Sequence, residues 1–444
     1  MRRGKPQHAE TMASVLTRGD DGSDDDDGGS SYRVPLLRDD AAATAASPHP
    51  GEADALLGGA APGVGVRRVI LAFVASALGG SLYGYDVGST ATVTTQEQLL
   101  GDFGIRANSW QQGVVVSASL YGALIASFCL FLLGECLGRK QEILLADALY
   151  MVGSIASAAA PAGDGAQVLL VVLARGIYGM GIGLAMHSVP AYIAEISPPQ
   201  YRGLLIALKE AMIVLGMLLG YFVGFLCDRP HGWRTTWVAG CVLAVASAAG
   251  MAFMPESPRW MASRDLSRAR GGLQFLRGAD APTPAIEAEL QRAAEASDGW
   301  DEVPLLDKLR ELWGVRKAFY IGGGLLFFQQ ISGQPSVLYF APTIFENAGL
   351  GAQASKFWSV LIGFVKLLAT SIAGFSVDSY GRVPLLVLGI GLMVASLGKN
   401  ALVRVRMLTR AQPISPLPQH THHTHTTHTL SFPFPPLASP HNHP

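Results

Sequence analysis

Glu135-Cys136-Leu137-Gly138-Arg139-Lys140 (135–140) and Asp378-Ser379-Tyr380-Gly381-Arg382 (378–382) decide the fold. Each sets an acid, a two-residue gap and Gly-Arg in what reads as a tight turn between two apolar segments. The recurrence predicts duplicated six-helix halves, the second represented by three helices only.

Composition agrees with a polytopic membrane protein. Of 444 residues, 49% are hydrophobic and 15% charged, and mean hydropathy is +0.30, too apolar for an ordinary soluble chain. Runs near the roughly 20 residues that a spanning helix needs fall at 69–91, 111–133, 141–160, 167–188, 204–226, 235–254, 318–345, 357–377 and 383–398. The expected fold is therefore an all-α polytopic membrane protein of about nine spans. Lys and Arg concentrate in alternate loops, with ten between Arg259 and Lys317. The positive-inside rule then puts the N-terminus and the 255–317 loop in the cytoplasm. A net charge of -1 offers no case for nucleic acid. Cys129, Cys136, Cys227 and Cys241 lack ligand spacing, so neither a disulfide framework nor a zinc site is expected.

Residues 1–66 are polar, carry eleven Asp and Glu, and read as a disordered cytoplasmic arm. Its Glu52-Ala53-Asp54-Ala55-Leu56-Leu57 resembles an acidic dileucine sorting signal, which points to a vacuolar or other endomembrane rather than the plasma membrane. A six-helix bundle is expected over 67–254, a helical cytoplasmic linker over 255–317 and a partial second bundle over 318–400. Residues 401–444 read as a disordered, non-native tail. They hold the alternation HTHHTHTTHT (420–429), which is open to two readings: metal binding by His422, His423, His425 and His428, or a translated CA-repeat after loss of frame, the latter favoured.

Ionisable residues inside spans need a reason, since each costs at least about 2.5–3.5 kcal/mol at the bilayer centre. Asp86, Arg175, Lys209, Glu210 and Lys366 stand out. Snorkelling to an interface suits Arg175 best, and Glu210 and Lys366 least. The glycines of GIYGMGIG (176–183) lie inside one apolar helix, so they read as helix packing rather than a nucleotide loop, which must follow a strand. In FFQQISGQPSVLYF (327–340) a break at Gly and Pro is expected, tolerated where it lines a cavity. Gln329 and Gln330 beside it offer the donor and acceptor pairs that hydroxyl-rich ligands need.

These residues resemble the sugar porters of the major facilitator superfamily, nearest the plant-type D-xylose-proton-symporter-like and vacuolar glucose transporters. The resemblance covers about 69–400. It rests jointly on GYD (84–86), the Gly-Arg turn (138–139), RGIYGMGIG (175–183), PAYIAEISPPQYRG (190–203), PESPRW (255–260), QQISG (329–333) and DSYGR (378–382). It implies proton coupling through Asp86 and Arg175, because a proton and the arginine compete for one carboxylate. It implies a cytoplasmic gate network of Glu135, Arg139, Glu195, Arg202, Glu256, Arg259, Asp378 and Arg382. Substrate contacts are implied at Gln329, Gln330, Glu210 and Lys366.

Departures from the family pattern accompany the likeness. Glu135 replaces an aspartate, Val383 an arginine, and Glu210, Pro335 and Lys366 stand at amide positions. Glu210 and Lys366 are expected either to pair across the cavity or to point separately into it. Spans 10 to 12 are absent from this sequence. The expected function is transport of a monosaccharide, hexose or pentose, by alternating access with proton symport. The alternative is a non-transporting truncated isoform that binds or regulates; a sugar sensor ranks third. The expected partners are the sugar, the proton and the lipid bilayer, with no cofactor, no metal, no nucleic acid and no obligate protein partner. Without a Ser/His/Asp or Cys/His set or a phosphate loop, an enzyme is not expected.

Overall fold

The computed structural model describes residues 64–95, 98–133, 136–163, 165–278, 283–297 and 316–410. The expected arm, but for residues 64–66, and the His-rich stretch from 411 lie outside these residues. Every described element is a helix.

Six helices follow the first six expected spans: α1 (Val64–Val93), then after the short α2 (Leu99–Asp102) α3 (Trp110–Leu133), α4 (Arg139–Ala159), α5 (Ala166–Ile196), α6 (Pro199–Leu226) and α7 (Gly232–Ala252). Their outer surfaces expose Leu124, Phe128 and Phe131, while Ser81, Thr90, Ser119, Ser154 and Ser247 are buried. Apolar outside and polar within is the arrangement that lipid favours and water does not. Glycines bring the backbones together. A Cβ on Gly84 would lie 1.7 Å from the Ile213 carbonyl, and one on Gly179 would lie 1.9 Å from the Ser119 carbonyl. The second contact belongs to GIYGMGIG, whose Gly179 and Gly183 pack α5 on α3 and whose Gly181 packs it on α4.

A linker of α8 (Pro258–Ala262), α9 (Leu266–Arg277) and α10 (Thr283–Ser297) follows. Asp265 caps α9, its carboxylate accepting from the Ser267 and Arg268 amides at 3.1 Å each. Arg277 joins Glu289 at 2.7 Å and donates to the Ile196 carbonyl at 3.1 Å, while Arg68 donates to the Phe275 carbonyl at 2.9 Å. These bonds dock the linker on the start of α1 and the end of α5, which defines a linker face of the bundle. The charged stretch from Asp301 lies mostly outside the described residues.

The expected seventh span is broken into α11 (Arg316–Ile331), α12 (Gln334–Tyr339) and α13 (Ala341–Asn347). Gly333 adopts φ +75°, and Pro335 and Pro342 begin the next two pieces, where their missing N–H groups cost least. Next come α14 (Ala352–Tyr380) and α15 (Arg382–Arg410). Among the described residues seven helices are long and apolar enough to cross a membrane, α14 being the seventh; the apolar part of α15, Val383–Lys399, is shorter.

The chain divides into two compact units after Gly374. In the second, Gly381 closes α14 at φ +82° with its amide on the Val377 carbonyl, 3.0 Å away, a conformation that glycine adopts without steric cost. The helix that follows runs ten residues past the boundary expected at 400. Residues 401–410, ALVRVRMLTR, contain neither Gly nor Pro and favour helix, so the disordered tail does not begin at 401.

Candidate functional site

Asp86 lies on α1, seven residues before the helix ends, and Thr90 stands one turn further on the same face. Arg175 of α5 reaches the Asp86 carboxylate with only 2% of its own side chain and none of the aspartate's exposed. Ser119 of α3 donates to Asp86 Oδ2 at 2.8 Å and Thr90 to Oδ1 at 3.3 Å. Arg175 Nη2 also donates to Thr90 Oγ1 at 2.8 Å, and its guanidinium stacks on Tyr178 and Trp237 at 5.2 and 5.3 Å. From beyond the break, the Tyr339 hydroxyl of α12 donates to Asp86 Oδ2 at 3.4 Å. Burying an ion pair is costly unless hydrogen bonds satisfy the remaining lone pairs, and these hydroxyls do so. One buried carboxylate is thus touched by helices from before and after the break.

Sequence reasoning named Asp86 and Arg175 but missed Thr90, Ser119 and Tyr339. Hydroxyl residues are common in membrane helices, so only the crossing of the helices marks these three. Also missed was His187 of α5, whose Nδ1 lies 3.0 Å from the buried Glu142 of α4.

The expected sugar-contact residues are not all gathered in one pocket. Gln329 and Gln330 lie exposed at the end of α11. Lys366 of α14 lines a recess of about 360 Å³ with Phe345, Trp358, Leu361, Ile362, Val365 and Ala369, so among the described residues it is the sole charged group there. Glu210 is 58% exposed and forms its ion pair with Lys209, at 2.7 Å, rather than with Lys366. The ammonium within contact distance of Glu210 is thus that of its neighbour Lys209, which is itself nearly buried.

At the linker face part of the expected network is assembled. Arg139 Nε lies 3.5 Å from Glu195, which also accepts from the Ser257 hydroxyl. Glu256 accepts from the amides of Lys140 at 2.8 Å and Ser257 at 3.0 Å. Its carboxylate rests on the Gly-Arg turn: a Cβ on Gly138 would lie 2.3 Å from it. Here glycine is needed for close approach, whereas Gly381 is needed for its backbone angle. Arg202 and Arg259 are exposed. Glu135 lies outside the described residues, as do the side chains of Asp378 and Arg382.

At the other face Lys356 of α14 pairs with Asp228, just beyond α6.

A family model described as "Sugar (and other) transporter" matches residues 71–411. The chain is 41% identical over 350 residues to "D-xylose-proton symporter-like 2" of Arabidopsis thaliana, covering 75% of this chain and 68% of that protein. Identity is also 41% over 364 residues to "D-xylose-proton symporter-like 3, chloroplastic" of the same plant, covering 78% and 64%. The chain thus spans about two thirds of the length of these relatives. Its fold is similar to a partially occluded, inward-open structure of the E. coli xylose transporter XylE, with TM-score 0.58 and 26% identity over 71% of this chain and 75% of that one. Spans, turns and matches agree: the chain belongs to the sugar porters of the major facilitator superfamily, a transporter family and not an enzyme family.

Proposed function

We propose that this chain carries a monosaccharide, hexose or pentose, across a membrane by alternating access in symport with a proton. The observation that carries this reading is the buried Asp86–Arg175 pair, tied to Tyr339 from beyond the break. Protonation of Asp86 weakens its hold on Arg175 and lets α1 and α5 move relative to one another; deprotonation restores the hold. Relatives named as symporters of xylose and galactose support both the sugar and the proton. In this reading Gln329, Gln330, Glu210 and Lys366 contact the sugar in a conformation that gathers them. The charges around Gly138 form a gate at the linker face, which is cytoplasmic, and Asp378 and Arg382 are gate residues of the second unit. The membrane is vacuolar or another endomembrane.

The test is uptake of labelled xylose, glucose and galactose by the purified full chain in proteoliposomes under an imposed pH gradient. Gradient-dependent uptake that falls at least about tenfold in Asp86→Asn is expected. Sugar binding without uptake would favour the non-transporting membrane protein instead. Absence of both would end the sugar assignment.

A further inference from the structure

Helices α14 and α6 touch at separate points in antiparallel order. Phe357 meets Phe225 with ring centroids 6.3 Å apart, a Cβ on Gly363 would lie 3.2 Å from the Tyr221 ring, and one on Gly374 would lie 3.6 Å from Ala207. The start of α6 adjoins the linker face, so Lys356, in the first turns of α14, lies at the opposite face. There its side chain is fully buried and ion-paired with Asp228, which is 19% exposed. Gln98, in the segment after α1 and 2% exposed, donates from Nε2 to the same Asp228 oxygen at 3.1 Å. Two ties nearer the middle of the bundle run in the same sense: Tyr221 donates to the Leu338 carbonyl at 2.6 Å, and Tyr339 to Asp86. Lys356 and its partners are the outermost of these links between the first six membrane helices and the helices after the break.

We propose that Lys356, Asp228 and Gln98 form a latch that holds the face opposite the linker closed and must part for that face to open. A buried ion pair roughly breaks even against its hydrated partners, so it can part reversibly when both charges meet water together. Removing one partner is different. In the closed form the remaining charge is stranded, whereas in the open form it is hydrated. Single substitutions therefore disfavour the closed form selectively. The role of the latch in a transport cycle rests on the reading above, but the closure itself can be measured without sugar or proton gradient.

The experiment is hydrogen–deuterium exchange on the full chain in nanodiscs, followed at peptides covering 226–234 and 352–360, with α9 as control. Lys356→Met and Asp228→Asn are each expected to speed exchange at both peptides about tenfold or more, leaving α9 unchanged. The exchanged pair, Asp228→Lys with Lys356→Asp, is expected to return the rates toward those of the parent. Should Asp228→Asn fail to fold, Lys356→Met and the exchanged pair still decide. Unchanged rates in Lys356→Met would overturn the latch. So would acceleration that extends equally to α9, or an exchanged pair that stays as fast as the single variants.

Discussion

The guanidinium of Arg175 and the carboxylate of Asp86 meet where 2% and none of their side chains, respectively, are exposed. Taking away one partner of such a pair leaves the other without compensation. Arg175→Leu is expected to cost about 3–5 kcal/mol of stability. Asp86→Asn keeps an acceptor for the arginine and is expected to cost about 1–3 kcal/mol. Thermal unfolding in detergent compares them, and equal small losses would show that the pair is not a stabilising contact.

Tyr339 touches that carboxylate only through its hydroxyl. Tyr339→Phe keeps the ring and is expected to lower stability by about 0.5–1.5 kcal/mol. It is also expected to shift the proton dependence of uptake while leaving the sugar dependence unchanged. A change in sugar dependence alone would assign Tyr339 to the substrate.

Glu256 rests on Gly138, which sets up a paired test. Gly138→Ala pushes the carboxylate off the Lys140 and Ser257 amides and is expected to cost about 1–3 kcal/mol. In the background of Glu256→Ala the same change is expected to cost far less, as thermal unfolding would show. Full additivity would mean that the methyl group clashes elsewhere.

Glu210 pairs locally, so its coupling is expected to be stronger with Lys209 than with Lys366. In double-mutant cycles Glu210→Gln with Lys366→Asn should depart less from additivity than Glu210→Gln with Lys209→Met. Strong coupling to Lys366 would restore the pairing across the cavity.

Asp265, outside the membrane, has its carboxyl held below the ordinary aspartate value of 3.8, chiefly by the Ser267 hydroxyl and then by the Arg268 amide. The shift is downward, so the stabilisation is present above the unfolded value and is lost as pH falls through the lower folded one. Protection of the amides at the start of α9 is expected to decline over that acid range, and Asp265→Ala should abolish the dependence. Hydrogen exchange against pH checks it.

Much of this was legible in the chain. The paired Gly-Arg turns located the helix pairs, and Gly333 with Pro335 foretold the break. Asp86 and Arg175 stood out because charge inside apolar helices demands a partner. Tyr339, Ser119 and Thr90 carried no such signal, since a hydroxyl is inexpensive anywhere in a helix. Lys356 and Asp228 carried no signal of their own, because each lies near a loop and only the folded chain buries the lysine. For Glu210 the long-range partner drew attention, although the neighbouring residue was the one within reach.

Arg175 and Glu195 are carried by one helix, α5, and twenty residues of α-helix span about 30 Å. Pro190 lies between them and deprives the Met186 carbonyl of its usual donor. The helix is therefore a rod with a joint, its long arm holding the guanidinium beside Asp86 and its short arm holding the carboxylate beside Arg139. If the proposed transport cycle tilts either arm, the joint at Pro190 is where the displacement passes to the other or is absorbed.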